Sequence, residues 1–204
     1  MIDAMILPLQ RSLLHPPAQR LAALGLRADQ ITIAGFVLGL CALPALAFGA
    51  HGAALVFILL NRLADGLDGA VARIVGATDR GAFLDTALDF LFYALVPLGF
   101  ALSDPAANAL PAAVLIASFV GTGSSFLAFA VIAARRGIVS HGYPAKGIYY
   151  LGGLTEGAET IAFFVAICLV PSAFPILALV FAAACAVTTL TRWHMGWRAF
   201  SDEG

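Results

Sequence analysis

Five aspartates fall between positions 65 and 89 of this 204-residue chain, in the run DGLDGAVARIVGATDRGAFLDTALD. Four of them, Asp65, Asp68, Asp85 and Asp89, are flanked by sequence apolar enough to enter a lipid bilayer. A carboxylate at bilayer depth is costly, so intramembrane acids face a polar cavity and bind ions or do chemistry. Four acids of one sign within a helix pair repel unless something positive sits among them. A divalent metal, which prefers hard oxygen ligands, is the simplest candidate.

On a helix, Asp65, Asp68, Gly69, Ala72 and Arg73 share one face, at i, i+3, i+4, i+7 and i+8. Gly81, Asp85 and Asp89 repeat the pattern at i, i+4 and i+8 on the next helix. Ile74 to Arg80 contains Gly76 and Thr78-Asp79, enough to turn the chain, and leaves Asp79 solvated. The two acid faces are therefore expected to meet at the turn of an antiparallel pair. Gly69, Ala72 and Gly81 are expected to allow close helix approach and to leave space for a bulky ligand. This layout suits phosphoryl transfer, in which a divalent ion bridges phosphate oxygens and aligns nucleophile and leaving group. A carboxylate not used as a ligand can accept the proton of an attacking hydroxyl. Arg73, with its planar fork, is placed to contact a phosphate.

The elements that must carry these residues are membrane helices. The chain is 61% hydrophobic and 11% charged, with mean hydropathy +0.96, which excludes an ordinary soluble domain. Apolar runs and turn signals predict six spans, at about Gln30–Phe48, Ala53–Ile74, Gly81–Leu102, Asn108–Ala134, Thr155–Val170 and Ala173–Trp193. Arg11, Arg20 and Arg27 precede the first, and Arg73 and Arg80 lie at the second turnaround. Arg135, Arg136 and Lys146 lie between the fourth and fifth, and Arg192 and Arg198 end the sixth. The opposite loops carry no Lys or Arg, so both termini are expected in the cytoplasm. Arg62 alone stands inside a span and needs a partner; it either lines a nucleotide pocket or pairs with an aspartate.

Residues 1–29 read as an amphipathic juxtamembrane segment of short cytoplasmic surface helices, with Pro8 weakening a continuous one. Residues 30–198 form the six-helix transmembrane catalytic domain, and 199–204 a polar tail. The fold class is thus all-α and membrane-embedded, with no cleaved signal at its start. Cys41, Cys168 and Cys185 lie in apolar runs and fit neither a zinc site nor a disulfide framework. Gly121, Gly123, Ser124 and Ser125 read as helix-packing residues, and Trp193 and Trp197 as interfacial anchors.

At the aspartates the chain resembles the CDP-alcohol phosphatidyltransferase family, whose signature is Asp-x2-Asp-Gly-x2-Ala-Arg, a spacer, then Gly-x3-Asp-x3-Asp. All eight specified positions are present as Asp65, Asp68, Gly69, Ala72, Arg73, Gly81, Asp85 and Asp89. The spacer, Ile74 to Arg80, has seven residues where a commonly quoted pattern has eight, a change confined to the turn. The resemblance implies a homodimeric membrane enzyme that moves a phosphatidyl group from a CDP-linked lipid to a small alcohol acceptor and releases CMP. It implies that Asp65, Asp68, Asp85 and Asp89 line a Mg²⁺ or Mn²⁺ site of two ions, with Asp89 as general base. It also sets Asp65, Gly69, Ala72, Arg73 and Gly81 against the CDP moiety; Asn61, just before Asp65 in the chain, is expected beside them. The family often carries an Asn and a Thr before its first span; here Thr32 is kept and Asp29 replaces the Asn, where it reads as a helix N-cap. A bacterial or archaeal cell membrane is the expected location, and no nucleic-acid partner is expected.

A second polar group, KGIYYLGGLTEGAET from Lys146 to Thr160, leads into the fifth span. Glu156 and Glu159, with Thr155 as cap, read either as an acidic helix start favoured by the helix dipole or as an acceptor pocket with Tyr149 or Tyr150. Lys146 would instead favour a phosphorylated acceptor, and the two choices stay open. His141, without a second His or Cys near it, reads as solvated surface. Two other functions remain: transfer of a phospho-alcohol headgroup from a CDP-alcohol to diacylglycerol, and divalent-cation transport. Against transport, the acids cluster near one surface rather than the midplane, and no internal repeat is present.

Overall fold

The computed structural model describes residues 2–138 and 153–201. Its regular structure there is wholly helical: α1 (Ile2–Ala23), α2 (Ala28–Leu40), α3 (Ala42–Ala47), α4 (His51–Val75), α5 (Asp79–Ser103), α6 (Pro105–Arg135), α7 (Gly157–Leu169), a 3-10 turn (Pro171–Ala173) and α8 (Phe174–Ala199). Four stretches are long and apolar enough to cross a membrane: Ala28–Ala47, Asp79–Ser103, Pro105–Arg135 and Pro171–Ala199. Helix α4 has the length, at 25 residues, but Arg62, Asp65, Asp68 and Arg73 make it too polar by that measure. Helix α7 is apolar but only 13 residues long.

Two helix boundaries differ from those expected, although the first span itself stands at Ala28–Ala47. The first expected span is two helices, broken at Cys41. Pro44 has no N–H for the Leu40 carbonyl and its ring crowds that turn; the Cys41 N–H bonds the Leu38 carbonyl at 3.1 Å instead. At the N-terminus a single 22-residue helix replaces the short helices expected, running through Pro8, Pro16 and Pro17. Each proline removes one donor, and packing offsets the loss. Ala18 is fully buried against Ala70 and Val71 of α4, with Leu14, Leu21 and Ile31 around it. The chain then reverses at Gly25, whose φ of +80° suits a residue without a side chain. Arg27 caps α2 through its N–H to Gln30 Oε1 at 2.9 Å.

Asp29 is not the N-cap expected. It lies in the first turn of α2, largely buried, and its carboxylate pairs with Arg80 at the start of α5. That ion pair ties α2 to α5.

The core is aromatic. Phe92, Phe100, Phe164 and Phe174 are fully buried; Phe100 stacks on Phe174 at 4.3 Å and Phe163 on Phe181 at 4.5 Å. Such pairs add to area burial through ring geometry. Helix α6 packs against α5 and α8. Gly121 faces Thr189 and Gly123 faces Phe90, as packing residues should. Ser124 is exposed, and Ser125 bonds back to the Thr122 carbonyl. Trp193 and Trp197 are exposed on the last turns of α8.

Candidate active site between α2, α4 and α5

Helices α4 and α5 meet through side chains, Arg62 on Asp89 and Tyr93, while α2 packs closely on both. Its glycines make this possible. A methyl at Gly35 would overlap the Ala64 side chain of α4, and one at Gly39 would stand 2.9 Å from both Asn61 Nδ2 and the Phe92 ring. Small residues thus do admit a close helix approach, but at Gly35 and Gly39 rather than at the positions expected. Among the described residues, a methyl at Gly69 would meet only Arg73 Nη1, at 3.5 Å, and one at Gly81 only Thr78 Oγ1, at 3.1 Å.

Three of the four carboxylates converge. One oxygen from each of Asp65, Asp68 and Asp85 lies within 4.8 Å of the others. Asp68 is buried, and Thr32 Oγ1 donates to its Oδ2 at 2.5 Å. Helix α4 presents Asp65 and Asp68 one turn apart, and α5 brings Asp85 across the turn at Gly76, whose φ is +103°. Thr78 starts α5 by accepting the Gly81 N–H at 3.0 Å, and Asp79 is exposed as expected.

Asp89, one turn deeper on α5, is turned to a different neighbour. Arg62 Nη2 donates to its Oδ1 at 2.7 Å, and Arg62 Nη1 lies 3.8 Å from Asp65 Oδ2. The guanidinium also donates from Nε and Nη2 to Asn61 Oδ1, at 2.8 and 2.5 Å, and from Nη1 to the Tyr93 hydroxyl at 3.1 Å. The Phe92 and Tyr93 rings lie 4.9 and 5.1 Å from its centre. Asn61 in turn donates to the Gly35 carbonyl at 3.0 Å. Of the two roles open to Arg62, the aspartate pair is present, and Arg62 also lines the cleft with Thr32, Asn61, Asp65, Asp68 and Asp89.

Tyr93 was not singled out in the sequence, although Asp85, Asp89 and Tyr93 continue one i, i+4, i+8 stripe. That spacing was the available signal.

The other predicted residues do not line the cleft. Arg73 is exposed in the last turn of α4, and Ala72 beside it is half-buried. Glu156 is itself the N-cap of α7 in place of Thr155, and Glu159 is its third residue; the Glu156 N–H bonds Glu159 Oε2 at 3.1 Å, and Glu156 Oε1 accepts the Gly153 N–H at 2.9 Å. Thr155 instead bonds Thr188 Oγ1 through its N–H and hydroxyl. Neither glutamate lines the aspartate cleft. Lys146, Tyr149, Tyr150 and His141 fall outside the described residues.

The donor set fits a hard divalent cation: three carboxylates from two helices, one of them oriented by a hydroxyl. Oxygens sharing an ion at about 2.1 Å stand no more than about 4.2 Å apart, so the observed group needs little inward movement.

Comparison with known proteins agrees with this architecture. The model of the CDP-alcohol phosphatidyltransferase family matches residues 26–192. The inner membrane protein YnjF of Escherichia coli K12 is 53% identical over 197 residues, 97% of this chain and 96% of the relative. Among solved structures, the Mycobacterium tuberculosis phosphatidylinositol phosphate synthase PgsA1 with CDP-DAG bound superposes with a TM-score of 0.68 at 25% identity, covering 91% of this chain and 94% of that one. The same synthase in complex with manganese and citrate gives 0.65 at 25% identity, covering 90% and 88%.

Proposed function

The chain belongs to the CDP-alcohol phosphatidyltransferase family, and from that premise we propose that it moves a phosphatidyl group from CDP-diacylglycerol to the hydroxyl of a small polar alcohol, releasing CMP, in phospholipid synthesis. The convergence of Asp65, Asp68 and Asp85 one turn from Gly69 is the observation that carries this reading.

Asp65, Asp68 and Asp85 would hold Mg²⁺ or Mn²⁺, which when bound neutralises charge on the diphosphate and aligns the displaced and attacking oxygens. Thr32 keeps Asp68 turned toward that group. Asp89 takes the proton of the acceptor hydroxyl, with the Arg62 guanidinium balancing its charge. The diphosphate and cytidine lie along Gly69, Ala72, Arg73 and Gly81, where no neighbouring helix among the described residues fills the space at either glycine. Asn61, engaged with Gly35 and Arg62, acts by holding Arg62 rather than by reading the base. The acceptor is held by Lys146, Tyr149 and Glu159, with Glu156 maintaining the start of α7.

In the membrane, six spans within residues 30–198 follow a cytoplasmic surface helix in residues 1–29, with a short polar tail at 199–204. The arginine distribution supports cytoplasmic termini, and the 53% identity with a bacterial inner membrane protein supports a bacterial cell membrane. The working unit is a homodimer, as the family resemblance implies.

The test is CMP release from CDP-diacylglycerol by purified protein in detergent, with Mg²⁺ or Mn²⁺, across a panel of alcohols. Metal-dependent release with one acceptor is expected and names the product. Release only from a CDP-alcohol paired with diacylglycerol would overturn the donor assignment.

A further inference from the structure

The seam between α2 and α4 has two sides, and only one of them is the aspartate cleft. Asn61, Arg62, Asp65 and Asp68 of α4 face the cleft. On a different face of α4, Leu60, Leu63 and Leu67 line a groove of about 280 Å³ with Ile31, Ala34 and Leu38 of α2. We propose that this groove seats an acyl chain of an anionic membrane phospholipid, whose phosphate is held by Arg20 and Arg27, at a lipid site separate from the reaction cleft.

The groove's place and chemistry select an acyl chain. Helix α2 belongs to a stretch long and apolar enough to cross a membrane, so the groove runs alongside hydrocarbon. Gln30 is the one polar side chain among its lining residues. Leu38, Leu60 and Leu63 are exposed, and no element among the described residues covers them.

The surface end supplies the charge. Leu21 and Leu26 line the groove where α1 gives way to α2, and each has an arginine next to it in sequence, Arg20 and Arg27. Arg27 stands immediately before α2, at the depth where headgroups lie. Both arginines are exposed, and among the described residues no carboxylate pairs with either. Asp29, two positions after Arg27, is already engaged by Arg80. Basic side chains at the surface end of a groove between membrane helices bind anionic headgroups.

The occupant is not the tail of a CDP-lipid in the cleft. To reach the groove, that tail would have to pass between α2 and α4, where Gly35 and Ala64 sit so close that a methyl on Gly35 would overlap the Ala64 side chain. Gly35 lines both spaces. A phospholipid in the groove therefore supports the contact that also forms one wall of the cleft.

The test uses full-length protein stripped of lipid in neutral detergent, with phosphatidylglycerol and phosphatidylcholine of identical acyl chains as probes and no CDP-lipid present. Native mass spectrometry is expected to show phosphatidylglycerol retained about 30-fold more tightly than phosphatidylcholine, the preference that two arginines near an anionic group supply. Equal retention of the two lipids overturns the proposal. The double variant Arg20→Gln, Arg27→Gln is expected to lose the preference and to keep the wild-type melting temperature in lipid-free detergent. A preference that survives in it overturns the proposal. Ala34→Phe, which fills the groove, is expected to lose phosphatidylglycerol retention. Undiminished retention in a folded Ala34→Phe protein overturns the acyl-chain site, and a changed oligomeric state with retention intact assigns the groove to a second copy of this chain instead. Should Ala34→Phe fail to fold, the arginine variant decides alone.

Discussion

Thr32 on α2 donates its hydroxyl to Asp68 Oδ2 across a 2.5 Å contact. A helix that carries none of the four clustered acids therefore sets the orientation of the most buried of them. The same hydroxyl lies 3.0 Å from the Ala28 carbonyl, the alternative acceptor for its single proton.

Replacing Thr32 by Val keeps the shape and removes the donor. Partners behind metal ligands typically account for about 10–100-fold in affinity. Thr32→Val should weaken Mn²⁺ binding by about that factor, with an unchanged melting temperature. A Mn²⁺ titration of both proteins decides it, and equal affinities would leave Thr32 without this role.

Asp89 stands outside the close carboxylate group and beside Arg62. Loss of a general base typically costs about 10²–10⁴-fold in rate. Asp89→Asn should lower CMP release by that much while Mn²⁺ affinity stays within a few-fold of wild type. Wild-type turnover in this variant would remove the proton-accepting role.

Gly69 offers a separation of stability from activity. Among the described residues its Cβ would meet only Arg73 Nη1, at 3.5 Å, and its place inside α4 makes Ala the better helix former by about 1 kcal/mol. Gly69→Ala should therefore melt no earlier than wild type, and yet show a raised KM for the CDP-lipid because the methyl enters the nucleotide space. An unchanged KM would exclude the nucleotide from this face.

Gly35→Ala should do the opposite. Its methyl collides with Ala64, and overpacking of a close contact costs about 1–3 kcal/mol. The melting temperature in detergent should fall, and Gly39→Ala should behave alike by pressing on Asn61 and Phe92. A Gly35→Ala protein as stable as wild type would mean that α2 does not seat on α4 at this point.

Period and polarity made the helices and the acid stripes legible: Asp65 with Asp68, and Asp85 with Asp89, repeat at helical spacing, and each helix ends close to a turn signal. What could not be read was which helix stands beside which. Adjacency in sequence predicts that the acid faces of α4 and α5 meet, as Asp65, Asp68 and Asp85 do, but not that α2 packs closely on both helices, a matter of tertiary packing that local spacing does not encode. The pairing of Asp89 with Arg62, twenty-seven positions away, is of the same kind. Asp29 misled because its place before an apolar run looks like a cap, while its partner Arg80 lies fifty-one positions on. The break at Cys41 was signalled by Pro44, and the continuous α1 defied its prolines because Ala18 has a seat on α4.

Helix α2 works as a spacer whose thickness is set by Gly35 and Gly39. Neither glycine belongs to the eight-position pattern at residues 65–89. Two chains with the same pattern, one bearing glycine here and the other alanine or serine, would hold the same acids across gaps of different width. Selectivity for the size of the bound substrates is thus adjustable from a helix that donates no group to the reaction, and a search for the pattern alone is blind to it.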